Sequence, residues 1–256
     1  MIPFIKASAC GNDFLMIDGA HATGAITDLT RQICDRHNGV GADGVEWLFP
    51  APDADIEARL INADGSPAEI SGNGTRCVAA CLASQSAKTS LSIRTGAGVK
   101  HCNLISRDGN LFEFETAMGT PVAGGEITID GVKGMEVSVG NPHFAVFVAA
   151  FAANWQELGA AIGRHPHFPQ GVNVEFVRVT GVHDIEVRFF ERGAGETHSS
   201  GTGSCASAVA AVALGKLNAP VNVHAPGGTQ TVRWAGDRIF LRGPARIICR
   251  GEFLVQ

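Results

Sequence analysis

Two short segments open alike and lie half a chain apart. Ser71-Gly72-Asn73-Gly74-Thr75-Arg76-Cys77 and Ser200-Gly201-Thr202-Gly203-Ser204-Cys205 start 129 positions apart in a chain of 256 residues. Each follows a strand-like run and an acidic loop: Asn62-Ala63-Asp64-Gly65-Ser66 before the first, Glu191-Arg192-Gly193-Ala194-Gly195-Glu196-Thr197 before the second. Each leads into a small, Ala-rich, nearly all-apolar stretch, Thr75 to Ser84 and Cys205 to Leu214. A helix apolar on every side is packed on every side. The expectation is an internal duplication: two similar α/β (α+β) halves, each a mixed sheet wrapped round one central helix. The halves would span about residues 1–120 and 121–256, with Gly124-Gly125 near the boundary and the chain's end packing back on the first half.

The rest of the chain supplies the strands. Phe4 to Ala7 and Phe14 to Asp18 flank a Gly11-Asn12-Asp13 turn. Runs at Ile56–Ile61, Leu91–Arg94, Leu111–Glu115, Met135–Val139 and Ile185–Phe189 alternate polar and apolar, as half-buried strands do. Two further helices are expected, Thr30 to Arg36 capped by Thr27 or Asp28, and Phe151 to Gly163.

Composition excludes several classes. Hydrophobic residues make up 45% and charged residues 18%, which suits a packed core and not a disordered chain. The net charge of −5 gives no electrostatic reason to expect nucleic acid. The longest apolar run, Phe144 to Ala153, is too short to span a bilayer, and the N-terminus has no signal-peptide pattern. The seven cysteines, Cys10, Cys34, Cys77, Cys81, Cys102, Cys205 and Cys249, form no C-x-x-C pair. A reduced, cytoplasmic chain with mostly buried thiols is the expectation.

A helix N-terminus exposes unpaired N–H groups and partial positive charge, and glycine there lets an anion approach the backbone. Two such starts can clamp a carboxylate or phosphate. The plain alternative is N-capping by Ser71 and Ser200. Asn12, Asn62, Asn141 and Asn173 each sit at a turn or strand end, where turn chemistry also explains Asn. Arg192 can make a bidentate contact to a carboxylate. His143 is a candidate base or orienter, or a hydrogen-bonded structural histidine.

Over nearly its whole length the chain resembles the diaminopimelate epimerase family, amino-acid epimerases that use no pyridoxal. The resemblance rests on seven motifs in order: Gly11-Asn12-Asp13-Phe14; Arg36 to Gly44; Asn62 to Ser66; Gly72 to Cys77; Gly140-Asn141-Pro142-His143; Gly171-Val172-Asn173; and Glu191 to Thr197. It implies two pseudo-symmetric, barrel-like α/β domains with the site between them. It implies interconversion of LL- and meso-2,6-diaminopimelate, for lysine and peptidoglycan synthesis, with no cofactor and no metal. One residue acts as base and another as acid on opposite faces of the substrate.

By the same resemblance, Gly72, Asn73, Gly201 and Thr202 hold the reacting carboxylate. Asn62, Asn141, Asn173 and Arg192 hold the distal amino-acid group, and Asn12 lines the pocket. His143 and Glu191 contact the reacting amino group or orient the acid/base pair. Arg192 favours a substrate with two carboxylates. A homodimer is implied too, with an aromatic near the C-terminus at its contact, where this chain has Phe253. No nucleic acid or membrane partner is implied.

The chain departs from the family at the chemistry. The family's acid and base are two cysteines, one opening each central helix, and here those positions are Ser71 and Ser200. A thiol at a helix N-terminus has a lowered pKa, whereas a serine hydroxyl is a far weaker acid. Three explanations stand: deliberate Cys→Ser replacement that keeps the pocket's shape, a natural Ser/Ser homologue with weak or altered chemistry, or a non-catalytic amino-acid-binding homologue. A racemase or isomerase of another amino acid or small carboxylate is the alternative activity. Cys77 and Cys205 lie further along the helices and are expected to be buried.

Overall fold

In a computed structural model, residues 1–22 and 24–255 are described. The chain divides into two compact units. Unit 1 is Met1–Thr116 with the chain's end from Gly243, and unit 2 is Ala117–Arg242.

Unit 1 holds β1 (Ile2–Ala9), β2 (Asn12–Asp18), α1 (Ile26–Cys34), β3 (Gly44–Phe49), β4 (Ile56–Asn62), β5 (Pro67–Ala68), α2 (Gly72–Gln85), β6 (Ser90–Thr95), β7 (Gly98–Asp108) and most of β8 (Leu111–Gly119). Unit 2 holds β9 (Val122–Ile129), β10 (Val132–Ser138), β11 (Pro142–Phe147), α3 (Trp155–Gly163), β12 (Asn173–Val179), β13 (Asp184–Glu191), β14 (Gly195–Thr197), α4 (Gly201–Ala213), β15 (Val221–Ala225) and β16 (Gly228–Ala235). The last strand, β17 (Arg238–Phe253), begins in unit 2 and ends in unit 1.

Strand pairing makes the duplication explicit. In unit 1, β1 is antiparallel to β2, β2 parallel to β3 after a crossover through α1, and β3 antiparallel to β4. After α2, β6 pairs parallel with β4 and antiparallel with β7. Unit 2 repeats this sequence of pairings with β10, β11, β12, β13, β15 and β16, using α3 and α4 as the crossovers. In unit 1 the circuit closes, because β7 pairs with β8, β8 with β17 and β17 with β1. Eight strands thus form a barrel, which removes the exposed edges that open sheets must protect.

In each unit the inner face of the sheet packs on its apolar helix. In unit 1 the α2 residues Cys77–Cys81 pack with Phe14, Met16, Leu60, Leu91, Ile93, Phe112 and Phe114. In unit 2 Cys205, Ala206 and Ala208–Ala211 of α4 pack with Met135, Val177, Val187, Phe189, Val223 and Leu241. Small side chains on the helices let the strands approach on all sides. The outer faces carry a second layer: Val45 and Trp47 of β3 pack under α1, and Val174 and Phe176 of β12 pack under α3. This period-two alternation leaves Gly44, Glu46 and Leu48 on the inner face of β3, and Asn173, Glu175 and Val177 on that of β12.

Some local expectations are corrected. The first helix runs from Ile26 to Cys34, not from Thr30 to Arg36, and its N-cap is Ala25 with no side-chain cap. Thr30 instead donates to the Ile26 carbonyl and accepts from Trp47 Nε1, so it serves packing inside the helix. The peripheral helix begins at Trp155, four residues after Phe151. Gly124 and Gly125, expected near the boundary, are strand residues of β9. Cys77 and Cys205 are fully buried, as expected.

The barrel core predicts its own sensitivity. Phe114 has no exposure, so Phe114→Ala should lower the urea-unfolding free energy by roughly 3–5 kcal/mol. Val182→Ala, at an 81% exposed position, should change it by less than about 0.5 kcal/mol. Equal effects in the two variants would contradict this packing.

Candidate active site at two helix starts

Ser71 and Ser200 are the N-caps of α2 and α4. Each has extended backbone and accepts from the N–H three residues on: Ser71 Oγ from Gly74 at 3.0 Å and Ser200 Oγ from Gly203 at 3.1 Å. Capping satisfies one N–H of each first turn. Gly72 is exposed, and a Cβ added to it would meet nothing. Backbone and solvent therefore meet directly at that helix start.

The third helical residue is glycine in both, and each lies against a buried carboxyl group, with the Phe189 ring equally close at Gly203. A Cβ on Gly74 would stand 2.1 Å from Glu46 Oε1, and one on Gly203 would stand 2.9 Å from Glu175 Oε1. Glu46 and Glu175 lie on the inner faces of β3 and β12, toward the central helices, with 3% and no exposure. Burial alone pushes the Glu46 carboxyl up to about 8. Burial also raises Glu175, against the opposing influence of His143. Glu46 is held as a neutral acid at neutral pH, because a buried lone carboxylate is costly.

In unit 1, Asn12 lies beside the helix start. Its Oδ1 accepts from Asn73 Nδ2 at 2.7 Å, and its Nδ2 donates to Asp43 Oδ2 at 3.1 Å. Asp43 in turn pairs with Arg36, which also pairs with Asp13, as does Lys6. Partial burial works against ionisation of Asp13, but hydrogen bonds from Arg36 and Lys6 hold it below the usual carboxylate range. This ion cluster fixes the β1–β2 turn that carries Asn12. Asn73 is buried and accepts from Arg76, so α2 carries its own support for that side chain. Asn62 ends β4 and donates to Ser66 Oγ at 3.0 Å, closing its acidic loop.

In unit 2, His143 is 1% exposed and both its ring nitrogens are engaged. Nε2 meets Asn141 Oδ1 at 2.9 Å, and Nδ1 meets Glu175 Oε1 at 2.7 Å. An amide oxygen only accepts, so Nε2 carries a hydrogen, and one proton lies between Nδ1 and Glu175. Glu175 Oε2 has no partner. Asn141 reaches the helix start through Nδ2, 3.5 Å from Thr202 Oγ1. His143 thus positions Asn141 and presents no ring nitrogen outward. Asn173 Nδ2 donates to the Pro142 carbonyl, and its Oδ1 accepts from the Arg192 N–H, each at 3.0 Å. Arg192 is exposed, its Nη1 donating to the Gln170 carbonyl at 2.9 Å. Glu191 accepts from Thr197 Oγ1. Glu191, Arg192, Arg164 and Phe190 line an open depression in this unit.

The site residues of the two units fall into register. Asn12 and Asn141, Glu46 and Glu175, Asn62 and Glu191, Ser71 and Ser200, and Asn73 and Thr202 are all separated by the same 129 residues. The duplication therefore reaches individual side chains. Sequence reasoning missed Glu46 and Glu175. The signal was a repeated Val-Glu-aromatic triplet, Val45-Glu46-Trp47 and Val174-Glu175-Phe176, with an acid inside an otherwise apolar strand. No group of three or more His, Cys, Asp or Glu side chains suited to a metal occurs among the described residues. Among them, too, no helix is long and apolar enough to cross a membrane.

Comparison with known proteins agrees with the geometry. Residues 4–123 and 135–248 match the family model of diaminopimelate epimerase. A diaminopimelate epimerase of Pelotomaculum thermopropionicum is 38% identical, over 98% of this chain and 98% of its own. One of Desulfitobacterium hafniense is 35% identical over 98% of this chain and 97% of its own. Among solved structures, a PhzF-family phenazine biosynthesis protein of Bacillus anthracis superposes with a TM-score of 0.74 at 16% identity, covering 99% of each chain. A hydroxyproline epimerase of Agrobacterium vitis, with bound trans-4-hydroxy-L-proline, gives 0.69 at 17%, covering 99% of this chain and 90% of its own. These two likenesses concern the fold.

The buried acid predicts a pH dependence of folding. Above the ordinary carboxyl value of 4.5 the unfolded chain releases the Glu46 proton, while the folded chain keeps it until about 8. Across that window the folded state binds the extra proton, so stability falls as pH rises, by about 1.4 kcal/mol per pH unit for one group. Glu46→Gln should remove that contribution and flatten the slope, as followed by urea unfolding at a series of pH values. An unchanged slope in the variant would contradict a buried neutral Glu46.

Proposed function

The chain belongs to the diaminopimelate epimerase family, and from that premise we propose that it interconverts LL- and meso-2,6-diaminopimelate by proton transfer at Cα, serving lysine and peptidoglycan biosynthesis. The observation that carries this reading is the duplicated helix start. Gly72 and Asn73 in unit 1, and Gly201 and Thr202 in unit 2, offer backbone N–H groups at the positive ends of helices. Such donors bind a carboxylate, and they stabilise the enediolate that forms when Cα loses its proton. That negative charge develops only as the bond breaks, so donors fixed by the helices lower the barrier rather than merely the ground state.

Arg192, Asn62, Asn141 and Asn173 take the distal amino and carboxylate groups. Glu191 accepts from the reacting amino group, and His143 holds Asn141 in place. Ser71 and Ser200 stand where the proton is taken and returned. General acid–base catalysis contributes roughly 10²–10⁴-fold per group, so hydroxyls in place of thiols leave a slow enzyme. The buried thiols support a cytoplasmic protein, and the resemblance supports a homodimer. Phe253 packs in the outer layer of unit 1.

Two measurements test this reading. In D₂O, LL- and meso-diaminopimelate should incorporate deuterium at Cα, and Ser71→Cys with Ser200→Cys should raise the rate at least about 100-fold. Absence of exchange even in the double variant would refute the assignment. Arg192→Ala should raise KM for diaminopimelate at least about tenfold, as expected for loss of a charge-assisted contact. A smaller amino acid without the second carboxylate should be unaffected. A panel in which both substrates respond equally would favour an enzyme of another amino acid.

A further inference from the structure

Serine becomes a useful proton carrier only beside a group that takes its proton. Unit 1 contains such a group. Glu46 Oε1 and Ser71 Cβ lie 2.1 Å and 3.2 Å from the same point, where a Gly74 Cβ would stand. Both side chains therefore border the first turn of α2 beside Gly74, where no Cβ stands between them. Ser71 Oγ accepts from the Gly74 N–H and keeps its own hydrogen to donate. Glu46 sits in an apolar barrel, on the inner face of β3 opposite Met16 and Leu60. A carboxyl in such a place is unfavourable for the fold, and an apolar residue would pack better.

We propose that Glu46 is the positioning and proton-storing residue behind Ser71, exchanging a proton with the Ser71 hydroxyl as that hydroxyl exchanges one with the substrate Cα. The inference rests on the epimerase reading and deepens it. In the abstracting direction the Cα–H bond breaks and its proton passes to Ser71 Oγ. The former hydroxyl proton passes to the Glu46 carboxylate, and the electron pair stays on the substrate as the enediolate. In the donating direction the same protons run back, leaving Glu46 ionised. Nothing is oxidised or reduced, and each turnover returns one proton on the opposite face. Unit 2 meets the same need differently, since Glu175 there shares its proton with His143. The position matching His143 in unit 1 is Phe14, which faces Gly44 as His143 faces Asn173.

The other titratable groups around Glu46 are accounted for. Arg76 on α2, Cys10 just after β1 and Asp13 on β2 act, with Glu46, on the Cys77 thiol of α2. None of them is among the causes that shift Glu46 itself, which is burial alone. Burial raises the Cys77 thiol well beyond its usual value, so it cannot serve as the carrier in place of the carboxyl.

The test is Cα–deuterium exchange of each diaminopimelate stereoisomer against pH, in wild type, Glu46→Gln, and Glu46→Gln with Ser71→Cys. In wild type, exchange of the isomer deprotonated from the Ser71 side should rise with pH and level off above about 8. Glu46→Gln should slow it at least about tenfold and abolish that limb, with the protein still folded by circular dichroism. Adding Ser71→Cys should restore exchange, because a thiol at a helix N-terminus needs no carboxyl behind it. A Glu46→Gln protein with unchanged rate and pH profile overturns the proposal. So does a silent wild type whose Ser71→Cys, Ser200→Cys variant exchanges, an outcome that leaves the epimerase reading standing. Silence in that variant as well removes both.

Discussion

A helix enclosed by a ring of strands has only its ends in which to be polar. That constraint organises each half of this protein. The walls of the unit 1 barrel satisfy their own hydrogen bonds by closing, and α2 must then be apolar and slender to fit. The first turn is the one place where unpaired N–H groups, solvent and a fixed dipole coincide. The residues proposed to meet the reacting carboxylate gather there: the capping serine, the glycine after it, and the asparagine or threonine that follows. The buried carboxyl reaches the same turn because the third helical residue lacks a Cβ.

The duplication was legible because its two helix openings keep their glycines, and glycine positions answer to backbone approach more than to composition. The alternating runs located strands, since a sheet with one face toward a helix must alternate. Helix ends were less legible. Thr27 and Asp28 read as caps from their chemistry, yet both lie inside α1, and Thr30, expected at the helix start, bonds through its hydroxyl to the Ile26 carbonyl and the Trp47 indole. Nothing local distinguishes those two uses of a threonine. The partners of His143 were out of reach as well, because Glu175 lies 32 residues away and meets it only through the parallel pairing of β11 and β12. Glu46 stayed hidden for a further reason. An acid in a strand reads as solvent-facing until the layer on each side of that strand is known.

The two halves share a frame but not a chemistry. In unit 2 the buried acid is coupled to an imidazole, and the imidazole to an amide that touches the helix start. In unit 1 the buried acid has no imidazole, and the matching asparagine is held from outside by Asp43 and, through it, Arg36. Proton transfer from the two sides is therefore expected to differ in pH dependence even though the scaffolds match. Serine at both helix starts makes that difference matter, because a hydroxyl depends on its neighbours for proton affinity in a way that a thiolate does not.

The central claim is that the N–H groups opening each central helix are carboxylate-binding donors. Backbone amide chemical shifts of Gly72, Asn73, Gly201 and Thr202, followed by NMR during titration with LL-diaminopimelate, test it most directly. The account predicts that the resonances at each helix start move and saturate. Movement confined to one pair, or none while the rest of the spectrum stays that of the folded protein, would contradict it.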